Sequence, residues 1–433
     1  MTRAPNNPFG GDKFQVHSKG ILMPAKHFFK ALTLALLSSV IVTKLCEGQD
    51  LKSSIEQYQR SLIEEELTGS NVALISKDGK RIYHQAVQSS LEGDKSIDNK
   101  TIFPIWSMSK PITTVAMMIL HEQGKFEWND KVSKFLPCFQ SLNWKDGDTI
   151  RPCTQPLKIL HLMTHRAGWT YPKIQNDIET DGVADVSFNS IYPNQTRFND
   201  LQSYVESCAR TPLAFEPGTE YLYGPNQGIQ GRLIEVISGL PLEEFLQEKI
   251  FNPLGMVDTG FSMSDEQRQR FQPLFINTGP LKGFTYLLDE MTYQEGSRAH
   301  FGDAGLVSTM EDYARFCEML LAGGNFHGHQ VITSQSIATM TKHWSDGFPD
   351  EPNAAAPLEG HHHGFSLFVL QDPTKKEKVV PKGIYGWAGY HNTHFWIDPQ
   401  NNIFGLFMSR ARPFSWEIPI GLRKVVYENI SSP

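Results

Sequence analysis

The chain has 433 residues, with 40 basic against 47 acidic side chains and a formal charge of −7. Hydrophobic residues make up 40% and charged residues 20%, which fits a folded globular protein and excludes disordered and fibrous classes. The acidic balance makes a phosphate backbone a poor partner, so no nucleic acid is expected as a ligand.

Residues 31–42 read ALTLALLSSVIV and follow Lys26 and Lys30. A basic region before an apolar run too short to span a bilayer reads as an export signal within residues 1–46, which predicts a periplasmic or secreted protein with no stable membrane span. The polar residues before Met23 suit such a signal poorly and make Met23 a candidate start, which peptide mapping of the secreted form would decide. Cys46 follows Thr43-Lys44-Leu45, a poor match to a lipidation site. Removing residues 1–46 takes six from the 40 basic residues and one from the 47 acidic ones, leaving a formal charge of −12. Cys138, Cys153, Cys208 and Cys317 remain, with no short CxxC pair of the zinc or thiol-redox kind. Cys138 and Cys153 bracket a polar loop and could pair after export, while Cys317 reads as a buried thiol.

Apolar residues at Leu51, Ile55, Tyr58, Leu62 and Ile63 predict a helix stopped by Gly69. Strands are expected at 72–75 and 81–87, joined by the turn Lys77-Asp78-Gly79-Lys80. After Ser107, the spacing of Ile112, Val115, Ala116 and Ile119 predicts a helix, with Pro111 in its first turn and Gly124 beyond its end. Residues 126–299 are mixed, with helical pieces at 157–164, 198–208, 227–238 and 242–250. Their polar loops at 171–199 and 261–292 are candidate cleft walls. From Gly305 the pattern gives a helix at 310–321, strands at 365–370, 393–397 and 403–408, a turn at Asp398-Pro399-Gln400-Asn401 and a terminal helix at 420–430. Sheet-and-helix material at both ends predicts an α/β (α+β) fold within one catalytic domain, residues 47–433. Its sheet part would combine about 51–125 with 300–433, and a mainly helical part, about 126–299, would be inserted between them.

Ser107 and Lys110 stand three residues apart at the start of the predicted helix, on one face, so the amine can reach back to the hydroxyl. A serine needs a neighbouring base to act as a nucleophile, and a lysine can be that base where its surroundings lower its pKa. Ser-x-x-Lys alone is a common pattern that usually means a helix cap and a solvated lysine. Here it lies between Trp106 and a strongly apolar helix, where a surface lysine is out of place. His161 and His165 are four apart but have no accompanying Glu and no third ligand nearby, which favours packing over a metal site. His361, His362 and His363 are consecutive, so their side chains diverge, and they read as a loop.

The segment 103–137, carrying Trp106-Ser107-Met108-Ser109-Lys110-Pro111 and then Gly124-Lys125-Phe126, Asp130-Lys131-Val132 and Phe135-Leu136-Pro137, resembles the penicillin-recognising serine hydrolases. The likeness is strongest to the class C β-lactamase and family VIII carboxylesterase branch. Three later stretches resemble the same family: Leu160 to Gly168, Pro217-Gly218-Thr219-Glu220-Tyr221-Leu222-Tyr223, and Gly305 to Thr309 with Asp312 to Phe316. The resemblance spans roughly residues 60–430 and implies a β-lactamase/transpeptidase-like fold, an antiparallel sheet flanked by helices plus a helical domain.

It also implies roles. Ser107 would be the nucleophile, with Lys110 and Tyr223 as proton carriers and Tyr221 as the nearby competitor for the last role. Where β-lactamases carry asparagine two positions after that tyrosine, this chain has Pro225, and Asn226 is one step too far. Gly386-Trp387-Ala388-Gly389-Tyr390 stands where Lys-Thr-Gly is usual, with Trp387 at the lysine position. Gly389 would let the strand edge approach the substrate, and the backbone N–H groups of Ser107 and Tyr390 would form an oxyanion hole. Substrate contacts are expected from Trp387, Gly389, Tyr390 and His391, the last supplying compensating polarity. Loss of the lysine favours a carboxylesterase acting on small neutral or aromatic esters. A class C-like β-lactamase, a D-amino-acid peptidase or amidase, a transacylase and a catalytically silent binding protein stay open. The expected partner is a small-molecule ester or amide, with no metal and no organic cofactor; the oligomeric state is not set by these features.

Overall fold

Apolar residues run without a break from Val72 to Ile75 within Asn71–Lys77 (β1), because both faces of this strand are covered. Val72 and Leu74 enter one core, while Ala73 and Ile75 enter another, as the two-residue period of a strand requires. The computed structural model describes residues 50–171, 195, 197–286, 293–344 and 359–430. The expected export signal, most of the loop at 171–199 and the end of the loop at 261–292 lie outside the described residues.

β1 turns through Asp78 and Gly79, at φ 51° and 71°, into Lys80–Val87 (β2). Positive φ at both central residues matches the twist of the strands it joins. The C-terminal part adds His361–His363 (β3), Phe368–Leu370 (β4), Tyr385–Gly389 (β5), Thr393–Asp398 (β6) and Ile403–Met408 (β7). The sheet runs β3-β4-β5-β6-β7-β1-β2 and is antiparallel throughout. Val72 lies opposite Met408, so the two ends of the chain are sewn together in mid-sheet.

The longer helices are Leu51–Glu64 (α1), Ser109–Glu122 (α2), Leu201–Arg210 (α3), Asn226–Ser238 (α4), Met310–Leu321 (α5) and Glu417–Asn429 (α6). α1 and α6 pack together on one sheet face, where Ile55, Leu62, Ile418, Leu422 and Val426 join Trp396 and Phe407. α5 covers the other face, and behind it α2 is buried along residues 109–120, with α4 against its flank. A helix buried all round needs no amphipathic stripe, which is why its sequence is apolar on every side.

The middle of the chain is less purely helical than its sequence predicts. Asn143–Asp146 and Thr149–Pro152 form a hairpin, and Leu274–Ile276 pairs with Gly283–Thr285 and, in parallel, with Ala411–Arg412. Cys138 and Cys153, the pair that could have joined, are free thiols. The expected loop at His361–His363 is the edge strand β3, because Phe368–Leu370 supplies a hydrogen-bonding partner in register. Among the described residues no helix is long and apolar enough to cross a membrane.

Gly405 of β7 faces Trp396 of β6, and a Cβ there would run into the indole ring. Gly405→Ala should therefore lower unfolding free energy by about 1–3 kcal/mol through overpacking. Urea denaturation checks this; an unchanged midpoint would show that the indole can move aside.

Candidate active site

The turn that carries Ser107 is fixed from several directions. Trp106–Met108 is a 3-10 turn leading into α2, with Trp106 at φ 46°, a left-handed conformation that is rare for a bulky residue. Ile105 N–H donates to Leu306 O at 3.0 Å, Leu306 N–H to Ser109 Oγ at 3.2 Å, and Tyr313 Oη to Met108 O at 3.0 Å. The Gly305–Thr309 segment and α5 thus hold the turn against the core.

Lys110 is fully buried, in the first turn of α2. Its Nζ lies 3.1 Å from Ser107 Oγ, 3.0 Å from Tyr171 Oη and 2.8 Å from the Asp303 carbonyl oxygen. Tyr223 Oη donates to Ser107 Oγ at 2.8 Å, and its ring centroid is 4.8 Å from Lys110 Nζ. The hydroxyl, amine and phenol expected to meet do meet. Tyr221, the competitor, is turned away, stacked on His363 at 4.6 Å.

His165 supports this group. Its ring lies 4.9 Å from that of Tyr223, and its Nδ1 is 2.8 Å from Asn226 Nδ2. Asn226 is itself fully buried, so its amide is spent on His165 and does not enter the cleft. His161 sits under the Pro217-Gly218 turn, where any Cβ on Gly218 would meet its ring. Both histidines pack and hydrogen-bond, as their spacing without a Glu suggests.

On the opposite side, β5 packs on the Trp106–Met108 turn. At Gly389 an added Cβ would collide with the Ile105 carbonyl oxygen and with Thr393 Oγ1. The close approach that demands glycine is therefore between the strand and the turn that carries Ser107, and the expected approach to substrate is not what requires it. Tyr390 follows and is partly exposed, as are Ser107 and Tyr223. Trp387 is 4% exposed and lies behind Tyr223, ring centroids 5.8 Å apart. His391 corrects an expectation. It is fully buried, with Nδ1 2.9 Å from Trp106 Nε1 and Nε2 3.1 Å from Arg412 Nε, so it cannot supply polarity to a substrate. The residue after Tyr390 turns inward because the chain reverses there through Asn392, at φ 62°.

Residues 59–420 match the family model described as Beta-lactamase. The chain belongs to the beta-lactamase family. It is 27% identical over 336 residues to Protein Rv1367c of Mycobacterium tuberculosis, covering 72% of this chain and 78% of that one. It is 24% identical over 392 residues to Esterase EstB of Burkholderia gladioli, covering 86% and 93%. Among solved structures, EstCE1, described as a hydrolase with promiscuous acyltransferase activity, superposes with a TM-score of 0.70 at 23% identity, covering 87% and 98%. This beta-lactamase-family chain is thus a serine hydrolase of the superfamily that holds class C lactamases, D-alanyl-D-alanine carboxypeptidases and esterases.

Two members of the family chain's site escaped the sequence. Tyr171 Oη donates a short hydrogen bond to the Asp303 carboxylate while facing Lys110, and Asp303 is fully buried with Oδ1 unpartnered among the described residues. Burial, then the Asp303 charge, push the Tyr171 phenol well above its ordinary value. Burial also raises Asp303, against the pull of the Lys110 charge. Asp303 reaches this position because Gly302 fits against Thr113 of α2, whose hydroxyl donates to Gly302 O at 2.7 Å. A lone carboxylate in Gly302-Asp303-Ala304-Gly305 was the available signal.

Among the described residues, Tyr221, His363 and Trp387 give the side of Tyr223 away from Lys110 an aromatic wall. Burial pushes His363 down to about 4, so the ring is neutral where it meets Tyr221 and Trp387. The unfolded chain protonates His363 near 6.5, whereas the folded one resists until about 4. Unfolding therefore takes up a proton in that window, stability falls as pH falls through it, and the loss levels off below 4. His161 and His300, also lowered to about 4 by burial, act with the same sign. His363→Phe should flatten the decline in unfolding free energy between pH 6.5 and 4, by up to about 3 kcal/mol. Equal slopes for the two proteins would contradict this.

Proposed function

We propose that the chain is a carboxylesterase on small neutral or aromatic esters, working through an acyl-enzyme on Ser107. One observation carries this above the others: the amine of Lys110 has acceptors for two protons, on Tyr171 and Asp303, and faces Ser107 Oγ with what remains. In its neutral form the amine thereby directs its lone pair at the serine hydroxyl, which is the geometry of a general base.

Ser107 Oγ attacks the ester carbonyl carbon as its proton passes to Lys110 Nζ. The negative charge that develops on the carbonyl oxygen is taken by the backbone N–H groups of Ser107 and Tyr390. Collapse breaks the carbon–oxygen bond to the alcohol, which leaves with the Tyr223 proton, and Lys110 returns a proton to Tyr223. Water then attacks the acyl carbon, and its proton is taken up by the neutral Lys110 amine with Tyr223 as relay. The second intermediate releases the acid, and Ser107 Oγ recovers its proton.

Esters are favoured over β-lactams because the lysine position holds Trp387 and the asparagine amide is buried on His165. Among the described residues no lysine replaces Trp387 as a partner for a β-lactam carboxylate. The esterase name of the Burkholderia relative supports the same class.

A p-nitrophenyl ester tests the first part. Wild-type protein should give a burst of nitrophenol that Ser107→Ala lacks, and Tyr223→Phe should lower kcat by roughly 10²-fold. A burst surviving in Ser107→Ala would remove the assignment. Trp387→Lys tests the second part: hydrolysis of an anionic cephalosporin should rise relative to the neutral ester. A ratio that does not move would make the missing charge irrelevant to specificity.

A further inference from the structure

The proposed oxyanion hole is built from two separate pieces of chain, and their separation must be held to a fraction of an ångström to be useful. Trp106 immediately precedes one N–H donor, and His391 immediately follows the other. The indole N–H of Trp106 donates to His391 Nδ1 at 2.9 Å across 285 residues of sequence, in the buried interior. We propose that Trp106 and His391 are positioning residues, whose hydrogen bond sets the spacing between the backbone N–H groups of Ser107 and Tyr390. This rests on the acyl-enzyme reading of Ser107.

Further features act in the same sense. Trp106 is kept at φ 46°, a strained conformation that persists only where the surroundings over-determine it. Gly389 seats β5 directly on the Ile105 carbonyl. The Tyr390 ring lies between the Trp106 indole, edge-on at 5.8 Å, and the Arg412 guanidinium, 4.8 Å from the ring centroid. The His391 carbonyl accepts from Ala411 N–H at 3.2 Å and from Ser409 Oγ at 3.3 Å, which ties the end of β5 to the segment after β7.

The imidazole suits the task when neutral. Burial first, then Arg412 and Arg410, hold it well below its ordinary pKa. A neutral ring has one acceptor nitrogen, so it accepts from Trp106 or from Arg412 in any one tautomer. The Arg412 cation has the Tyr390 face as a second partner, whereas the indole N–H is a donor with a single direction. Nδ1 is therefore assigned as the acceptor for Trp106, and Nε2 then carries the ring proton, so its 3.1 Å approach to Arg412 Nε is a contact between two donors and not a hydrogen bond.

The test compares Trp106→Phe, His391→Leu and His391→Asn with wild type, by pre-steady-state acylation with a p-nitrophenyl ester. The amide oxygen of Asn can stand in for Nδ1. Trp106→Phe and His391→Leu should slow acylation by roughly 10- to 100-fold, the scale of a misplaced oxyanion donor, with KM little changed. His391→Asn should recover most of the rate. If Trp106→Phe does not fold, the two His391 variants decide. The proposal is overturned by folded Trp106→Phe or His391→Leu acylating at the wild-type rate, by His391→Asn being no better than His391→Leu, or by an effect confined to KM. Wild-type protein treated with a fluorophosphonate is mapped alongside. No adduct on Ser107 would bring down the acyl-enzyme reading itself, while an adduct together with unimpaired variants would bring down the positioning role alone.

Discussion

Lys110 carries an amine to a depth that solvent does not reach. Burying such a group costs several kcal/mol unless oxygen atoms replace the lost water, and the chain brings three of them from different places: Ser107 one turn back, Tyr171 from the loop after Gly168, and the Asp303 carbonyl from the segment docked on α2. The same demand for oxygen makes the site chemically capable. Satisfying two N–H directions with Tyr171 and Asp303 leaves the third direction to the Ser107 hydroxyl, which is partly exposed. Stability and proposed reactivity depend on one arrangement of atoms, and neither could be altered without the other.

The sheet contributes by its edge geometry more than by its side chains. β5 is pressed onto the Ser107 turn by the absence of a side chain at Gly389, and the residues after it fold back into the core through His391 and Asn392. Exposed polarity on that edge is therefore scarce. With Trp387 behind Tyr223, and Tyr221 stacked on a neutral His363, this side of the site is aromatic among the described residues. The family fold can host lactam, peptide and ester chemistry, and the proposed preference for an uncharged acyl group rests on this aromatic side of the site.

Much of this was legible from residue order. Ser107 and Lys110 declared themselves because a lysine stood at the head of a helix too apolar for a surface charge, and Tyr223 because Pro217-Gly218 preceded it at the family spacing. β1, β6 and β7 were readable from their apolar residues next to tight turns, and β2 from the Asp78-Gly79 turn that returns the chain beside β1. What stayed hidden depends on contacts made across long sequence distances. Tyr171 is one tyrosine in a polar loop, and nothing local says that its hydroxyl meets Asp303. His391 looked like a cleft residue because it follows Tyr390, and only the reversal at Asn392 turns it inward. His361–His363 looked like a loop because consecutive histidines have no apolar alternation, yet a partner in register makes them a strand. Gly389 was rightly singled out for closeness, but the neighbour that crowds it is the Ile105 carbonyl.

The central claim is that one carbonyl-sized space is bounded by Ser107 Oγ, the Lys110 amine, the Tyr223 hydroxyl and the end of β5. A crystal structure of the protein inactivated by a p-nitrophenyl phosphonate tests it most directly. The account predicts phosphorus bonded to Ser107 Oγ, one phosphonyl oxygen between the backbone N–H groups of Ser107 and Tyr390, and Tyr223 Oη within hydrogen-bonding reach of the adduct. Phosphorus on any other residue, or a phosphonyl oxygen turned away from those two N–H groups, would contradict it.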